Sequence, residues 1–167
     1  MRRLSTDRQA GFVDASGDLI AWTDQEGLHL YRVDSGAERV VAPPRGAGRW
    51  VAYGPLGASA CCLVTGAFAP GGRTLALFTT INDPDDLGLA LVDTATASAR
   101  GVPGSGDAIP GGCQACLAWD GDGGWVFYLG ITPGSIWAVP LGGDGAHSLS
   151  FSLDGVTEAP FISLAAS

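Results

Sequence analysis

The sequence predicts an all-β fold made of three repeated, four-stranded antiparallel modules. Three observations carry that prediction. Apolar residues make up 46% of the 167 residues and charged ones only 16%, the balance of a chain that folds rather than one that stays solvated. The 26 glycines and 10 prolines follow no collagen-like period; they fall between short apolar runs, as turns do in an all-β protein. Those runs are rich in Val, Leu, Ile, Trp, Tyr and Phe, lack a sustained 3.6-residue period, and recur along the chain in one order.

Each module opens on an apolar strand, a Gly-rich turn and a second apolar strand. The first reads Gly-Phe-Val-Asp-Ala-Ser-Gly-Asp-Leu-Ile-Ala-Trp from Gly11, the second Ala-Phe-Ala-Pro-Gly-Gly-Arg-Thr-Leu-Ala-Leu-Phe from Ala67, the third Ala-Trp-Asp-Gly-Asp-Gly-Gly-Trp-Val-Phe-Tyr-Leu from Ala118. Val13, Phe68 and Trp119 are the landmarks ending the opening strands, spaced by 55 and 51 positions. Tight hairpin turns need positive φ, which glycine reaches without steric cost. A loop ending in Gly27, Gly88 or Gly134 leads to a third strand over 28–33, 89–92 or 136–139. The small turns Asp34-Ser35-Gly36, Ala95-Thr96-Ala97 and Gly142-Gly143-Asp144 then lead to weaker fourth strands near 38–42, 98–102 and 147–153. One such module has two sheet faces to cover, and stacking it on like neighbours buries both.

Residues 44–60 interrupt the repeat. Gly48-Arg49-Trp50-Val51-Ala52-Tyr53 reads as a strand, either on a long connection with a hairpin arm or as the remnant of a degenerate module. In the tail, Ala159-Pro160-Phe161-Ile162-Ser163-Leu164 reads as a strand that pairs with the first module or opens a fourth.

These residues carry a family likeness. Phe68-Ala69-Pro70-Gly71-Gly72-Arg73-Thr74-Leu75-Ala76 resembles the signature turn of WD-like and TolB-like β-propeller repeats, which read aromatic-Ser-Pro-Asp-Gly-Arg and then a strand. Leu89-Ala90-Leu91-Val92-Asp93-Thr94-Ala95-Thr96 and Gly134-Ser135-Ile136-Trp137-Ala138-Val139-Pro140-Leu141 resemble the third strand of the same repeats. The likeness covers about residues 10–43, 62–103 and 114–153. It departs from the pattern where Gly71 replaces the signature Asp, and in lacking the Trp-Asp pair that closes the eukaryotic repeats, since Trp119-Asp120 precedes a turn instead. The resemblance implies a single propeller-like domain over 1–167, with 44–60 as an insertion and 154–167 as a tail. Closed rings have about 4–8 blades, so three imply a part of a longer protein, self-assembly, or a compact non-ring arrangement. A head-to-tail dimer of six blades is the simplest closed case.

Composition excludes several functions. The formal charge is −8, and the cations are nine arginines with no lysine. Beyond Arg2 and Arg3 no cation cluster exists to displace counterions from nucleic acid or to meet an anionic membrane. Absence of lysine removes Schiff-base chemistry, the phosphate-loop lysine and Ser-Lys dyads. No segment reaches the ~18–20 apolar residues of a membrane helix, and no apolar run follows Met1-Arg2-Arg3 as in a signal peptide. A cytoplasmic location is expected if Met1 is the true start, an extracytoplasmic one if an upstream segment precedes it.

The candidate sites each have a plain alternative. Cys62 and Cys113 stand six residues before Phe68 and Trp119, so the repeat brings Cys61, Cys62, Cys113 and Cys116 to one end of neighbouring inner strands. A disulfide and buried free thiols are both open readings, and the spacing is poor for tetrahedral zinc. Asp120-Gly121-Asp122-Gly123-Gly124 resembles the start of a calcium loop but lacks its third acid and terminal Glu, which favours a hairpin turn. Asn82-Asp83-Pro84-Asp85-Asp86 reads as a solvated acidic loop, with a cation or a basic partner as the alternative. His29 lies within a strand at a position where the other modules carry Ala90 and Trp137, and His147 follows a Gly-rich turn; no Gly-x-Ser-x-Gly elbow is present. Trp119 aligns with Phe68 and Val13 as a core position. Trp50, outside the repeat, is the best of the five tryptophans for a surface contact, although core is the stronger expectation. No residue is assigned a catalytic, cofactor or metal role, and no cofactor is expected.

The functional expectation is a non-catalytic recognition or scaffold module that binds a protein or small ligand, with self-association through its open ends. The rivals are a propeller hydrolase or lactonase-like enzyme with a central metal, and a fragment of a secreted or membrane-anchored bacterial propeller. An enzyme of that kind needs inward-facing acids and histidines on several inner strands, and only Asp14 and Asp120 lie near those strand ends.

Overall fold

The computed structural model describes residues 11–51, 66–81, 87–105, 117–129, 135–143 and 145–150. Their alternating and continuous apolar runs form twelve strands in three antiparallel four-stranded meanders. The first sheet is β1 (Gly11–Ser16), β2 (Leu19–Thr23), β3 (Leu28–Arg32) and β4 (Glu38–Val41); the second is β5 (Gly66–Phe68), β6 (Thr74–Thr80), β7 (Leu87–Asp93) and β8 (Ser98–Gly101); the third is β9 (Leu117–Trp119), β10 (Trp125–Leu129), β11 (Ser135–Pro140) and β12 (His147–Ser150). Strands pair in chain order within each sheet, and β5 lies beside β1 on one side and β9 on the other. This is the blade architecture of a β-propeller, with three blades and an open ring.

Two cores hold the blades together. Leu19, Leu28 and Leu30 of the first blade meet Phe68, Leu75 and Leu77 of the second. Ala76, Phe78 and Leu89 on the other face of the second blade meet Trp119, Val126 and Tyr128 of the third. Alternation along β6 therefore sends Leu75 and Leu77 one way and Ala76 and Phe78 the other, as a strand's period of two requires. A sheet covered on both faces reads as continuous apolar sequence, and β6 and β7 are buried along nearly their whole length. The fourth strands β4 and β8, which lie at sheet edges, are mostly exposed. In the second core the Phe78 and Tyr128 rings meet edge to face at 6.0 Å, and Tyr128 stacks on Trp137 at 6.2 Å.

The signature turns are built alike. Gly72 N donates to Ala69 O at 2.9 Å and Gly123 N to Asp120 O at 3.0 Å, and both glycines have φ of 70°. In the turns before the fourth strands, Gly36 has φ 70° and Ala97, the one non-glycine with positive φ among the described residues, has 56°.

One expectation changes. Val13 is not the register equivalent of Phe68 and Trp119. Phe68 pairs with Leu75 and Trp119 with Val126, whereas Ala15 pairs with Ile20, and a β-bulge between Phe12 and Asp14 adds Val13 to β1. The bulge turns Val13 into the first core, where the sequence alignment had seen a landmark. Around Trp50, the described residues of the 44–60 insertion run beside the second blade. Gly48 N donates to Thr80 O, Thr80 N to Arg49 O and Val51 N to Phe78 O, at 2.7 to 3.0 Å, so the segment pairs with the end of β6 that the shorter β5 leaves free. Trp50 is 5% exposed, lies in the first core and donates its indole N–H to Val41 O at 2.8 Å; it is no surface contact. The tail 154–167 and residues 52–60 of the insertion lie outside the described residues.

Candidate functional site

Register aligns the inner strands and so brings the ends of β1, β5 and β9 together. The result is an open recess of about 350 Å³ lined by Asp14, Ser16, Phe68, Pro70, Trp119 and Asp120, among others. The inner strands are tied across the blade boundaries. Asp14 Oδ2 accepts from Phe68 N at 2.7 Å, while Oδ1 accepts from Ala15 N at 2.7 Å. Trp119 Nε1 donates to Ala67 O at 2.9 Å. Asp120 closes its own turn: Oδ1 accepts from Trp125 N at 2.8 Å, and its N–H donates to Trp125 O at 3.0 Å. The recess thus offers carboxylate and hydroxyl groups beside aromatic faces on a rigid frame, and it suits a ligand rich in hydrogen-bond donors or positive charge.

Among the residues singled out in the sequence, the structure brings together Asp14, Phe68, Trp119 and Asp120. The Asp120–Gly124 segment is a hairpin turn, with its first acid engaged by backbone N–H. Cys61, Cys62, Cys113, Cys116 and the acidic loop 82–86 lie outside the described residues. Among the described residues no group of three or more His, Cys, Asp or Glu side chains is arranged for a metal ion, and no helix is long and apolar enough to cross a membrane.

The two histidines sit away from the recess. His147 is exposed on β12, at the edge of the third sheet. His29 is 4% exposed on β3, stacked at 4.9 Å on Trp22. Its Nε2 lies 2.7 Å from Asp24 Oδ1 and its Nδ1 lies 2.8 Å from Glu38 Oε1. Two carboxylate acceptors demand two N–H donors, which only the imidazolium has. Burial disfavours that charge, but the hydrogen bonds to Asp24 and Glu38 outweigh it and raise the His29 pKa. Burial likewise opposes charge on Asp24, and the His29 hydrogen bond outweighs it and lowers the Asp24 pKa. Sequence alignment missed this cluster because neither Asp24 nor Glu38 recurs in the other blades. It also missed that Arg39 and Arg100, at one register position, each reach a neighbouring blade: Arg39 donates to Ala95 O and Arg100 to Leu141 O, both at 2.6 Å. Spacing relative to the repeat could have revealed that pair.

No protein-family model matches the chain, and no curated protein does. Solved structures show the fold. The β-propeller domain of the trilobed protease from Pyrococcus furiosus aligns with a TM-score of 0.54 and 13% identity, over 87% of this chain and 44% of that one. An oligogalacturonate lyase in complex with manganese aligns with a TM-score of 0.54 and 12% identity, over 84% of this chain and 36% of that one. TolB from Acinetobacter baumannii aligns with a TM-score of 0.49 and 15% identity, over 80% of this chain and 30% of that one. The chain therefore spans less than half the length of each of these proteins.

Proposed function

We propose that this chain is a non-catalytic recognition module whose axial recess binds a donor-rich or cationic segment of a partner protein, or a small ligand of that chemistry. The observation that supports it is the pairing of Asp14 and Asp120 at a recess whose walls are cross-tied through Phe68 N and Trp119 Nε1. Groups held this rigidly present a preformed surface, which lowers the ordering cost of binding. Both carboxylates already hold backbone N–H groups, a structural use that leaves them as acceptors rather than as a base aimed at a nucleophile. The net charge of −8 draws cationic partners toward the same surface. The hydrolase reading needs histidines at the inner strands, and His29 and His147 stand on a third and a fourth strand instead.

The test is a titration with a short arginine-containing peptide, followed through the Trp119 indole N–H resonance. Binding should move that resonance, and Asp120→Asn should weaken it roughly tenfold while leaving the turn intact, because the amide oxygen still accepts from Trp125 N. An unmoved resonance, with the same behaviour in Asp120→Asn, overturns the reading.

A further inference from the structure

We propose that His29 is a latch on the edge strand β4: on losing its Nδ1 proton it lets go of Glu38 and frees the start of that strand, while its Nε2 proton stays on the bond to Asp24. The latch is independent of the recess, which is lined from the inner strands.

The His29 ring spans two carboxylates, with Nε2 2.7 Å from Asp24 Oδ1 and Nδ1 2.8 Å from Glu38 Oε1. The imidazolium satisfies both. The neutral ring has one N–H, so its other nitrogen would aim a lone pair at a carboxylate oxygen. One carboxylate then has to turn away, and its surroundings decide which. The Asp24 side chain is 10% exposed and that of Glu38 is 39% exposed. Asp24 is also fixed within its loop, since Oδ1 accepts from Glu26 N at 2.9 Å and its own N–H donates to Gly27 O at 3.0 Å. A buried carboxylate deprived of its donor costs more than one that can turn into water. The proton therefore stays on Nε2, and Glu38 goes to solvent.

The elements around the ring hold it in this frame. β2 supplies Trp22, stacked at 4.9 Å and 8° from parallel, and β3 supplies Tyr31, 6.3 Å from Trp22. The 24–27 loop brings Asp24 and the exposed Glu26, and β4 brings Glu38 and Val40. Arg32 is engaged by Asp18 at 3.0 Å, and Arg39 by Ala95 O in the second blade. Among the described residues, the charged groups coupled to the ring are the two acids. Burial works against the imidazolium, and the bonds to Asp24 and Glu38 overcome it, so release belongs on the alkaline side of the ordinary histidine value.

β4 is anchored unequally. Glu38, Arg39 and Val40 are exposed, whereas Val41 is buried in the first core and its carbonyl accepts from Trp50 Nε1 at 2.8 Å. Glu38 is the first residue of the strand, and its bond to His29 ties that end to its own blade. Arg32 N donates to Ala37 O at 2.8 Å, and alternation from that bond makes Arg39 and Val41 the β4 residues whose amides enter the ladder. Release of Glu38 loosens the strand at Arg39 and leaves it fixed at Val41. An edge strand that opens presents unpaired backbone groups, which a charged latch keeps in check.

The experiment is a pH titration of the isotope-labelled full chain by NMR. As His29 titrates, Nδ1 should take the shift of an unprotonated nitrogen and Nε2 should stay protonated. The Glu38 carboxyl carbon should move with the same midpoint. Protection of the Arg39 amide, corrected for the intrinsic exchange rate at each pH, should fall roughly two- to fivefold across that midpoint, with Val41 unchanged. Glu38→Gln alters a partly exposed group whose amide N–H can meet the lone pair, so it should keep the circular dichroism of the parent and lose the step at Arg39. Deprotonation at Nε2 overturns the proposal, as does a His29 ring that stays neutral throughout. So does the expected tautomer with Arg39 equally protected on both sides of the midpoint. The parent titration decides these outcomes whether or not the variant folds.

Discussion

His29→Gln should destabilise the chain by an amount that depends on pH. The His29 side chain is 5% exposed and that of Asp24 is 10% exposed. Removing one partner of a buried ion pair costs about 3–5 kcal/mol. Asp24 keeps the Glu26 N–H at 2.9 Å, which places the loss near the lower end of that range. Glu38 is 39% exposed and adds at most about 0.5 kcal/mol after screening. Losing the stack on Trp22 adds about 0.5–1 kcal/mol. A total of about 3.5–4.5 kcal/mol corresponds to a fall of roughly 7–18 °C in Tm for a chain of this size. The sign follows from the shifts. The folded pKa of His29 is raised, so its contribution is complete below the unfolded value near 6.5 and disappears as pH rises through the folded value. The folded pKa of Asp24 is lowered, so its contribution is present above 3.8 and disappears as pH falls through the folded value. Urea unfolding of parent and variant, followed by tryptophan fluorescence, should show the largest difference near about pH 5.5 and mainly the stacking contribution near about pH 9.5. Equal differences at both pH values would refute the charged cluster and leave His29 as a packing group.

Other substitutions separate the remaining contacts. Tyr128→Phe should leave stability unchanged or raise it by about 1 kcal/mol, because the Tyr128 hydroxyl is buried without a hydrogen-bond partner among the described residues; a clear loss in thermal unfolding would show a partner exists. Trp119→Phe should cost about 1–3 kcal/mol by orphaning Ala67 O, with the ring packing largely retained; a neutral result in urea unfolding would remove the cross-tie from the account. Gly66→Val should destabilise by about 1–3 kcal/mol or more, since even a Cβ there would sit 2.7 Å from Val13 Cγ1 and 2.9 Å from Ala76 O; unchanged Tm would mean the inner strands are less tightly packed than described.

Much of the fold was legible because its cause is local. Positive-φ turns at Gly72 and Gly123 and the unbroken apolar runs of β2, β6 and β7 are sequence features with direct backbone consequences. Much of the candidate site was not. Asp14 stood out only as an acid near a strand end. Its bond to Phe68 N joins residues 54 apart, and the bulge at Val13 that aims it depends on pairing with β2. Trp50, outside the repeat, was expected in the core with a surface contact as the alternative, but nothing in the sequence said which strand would cover it. Its burial comes from a free stretch of β6 that exists only because β5 is three residues long.

By itself, the sequence determined the strand repeat, the module order and the absence of lysine-dependent chemistry. These follow from side-chain type and spacing along one chain. Only the tertiary structure decided which acids line one recess and which histidine is caged by carboxylates. Those are distances between residues far apart in the chain, set by register and by how one sheet packs on the next.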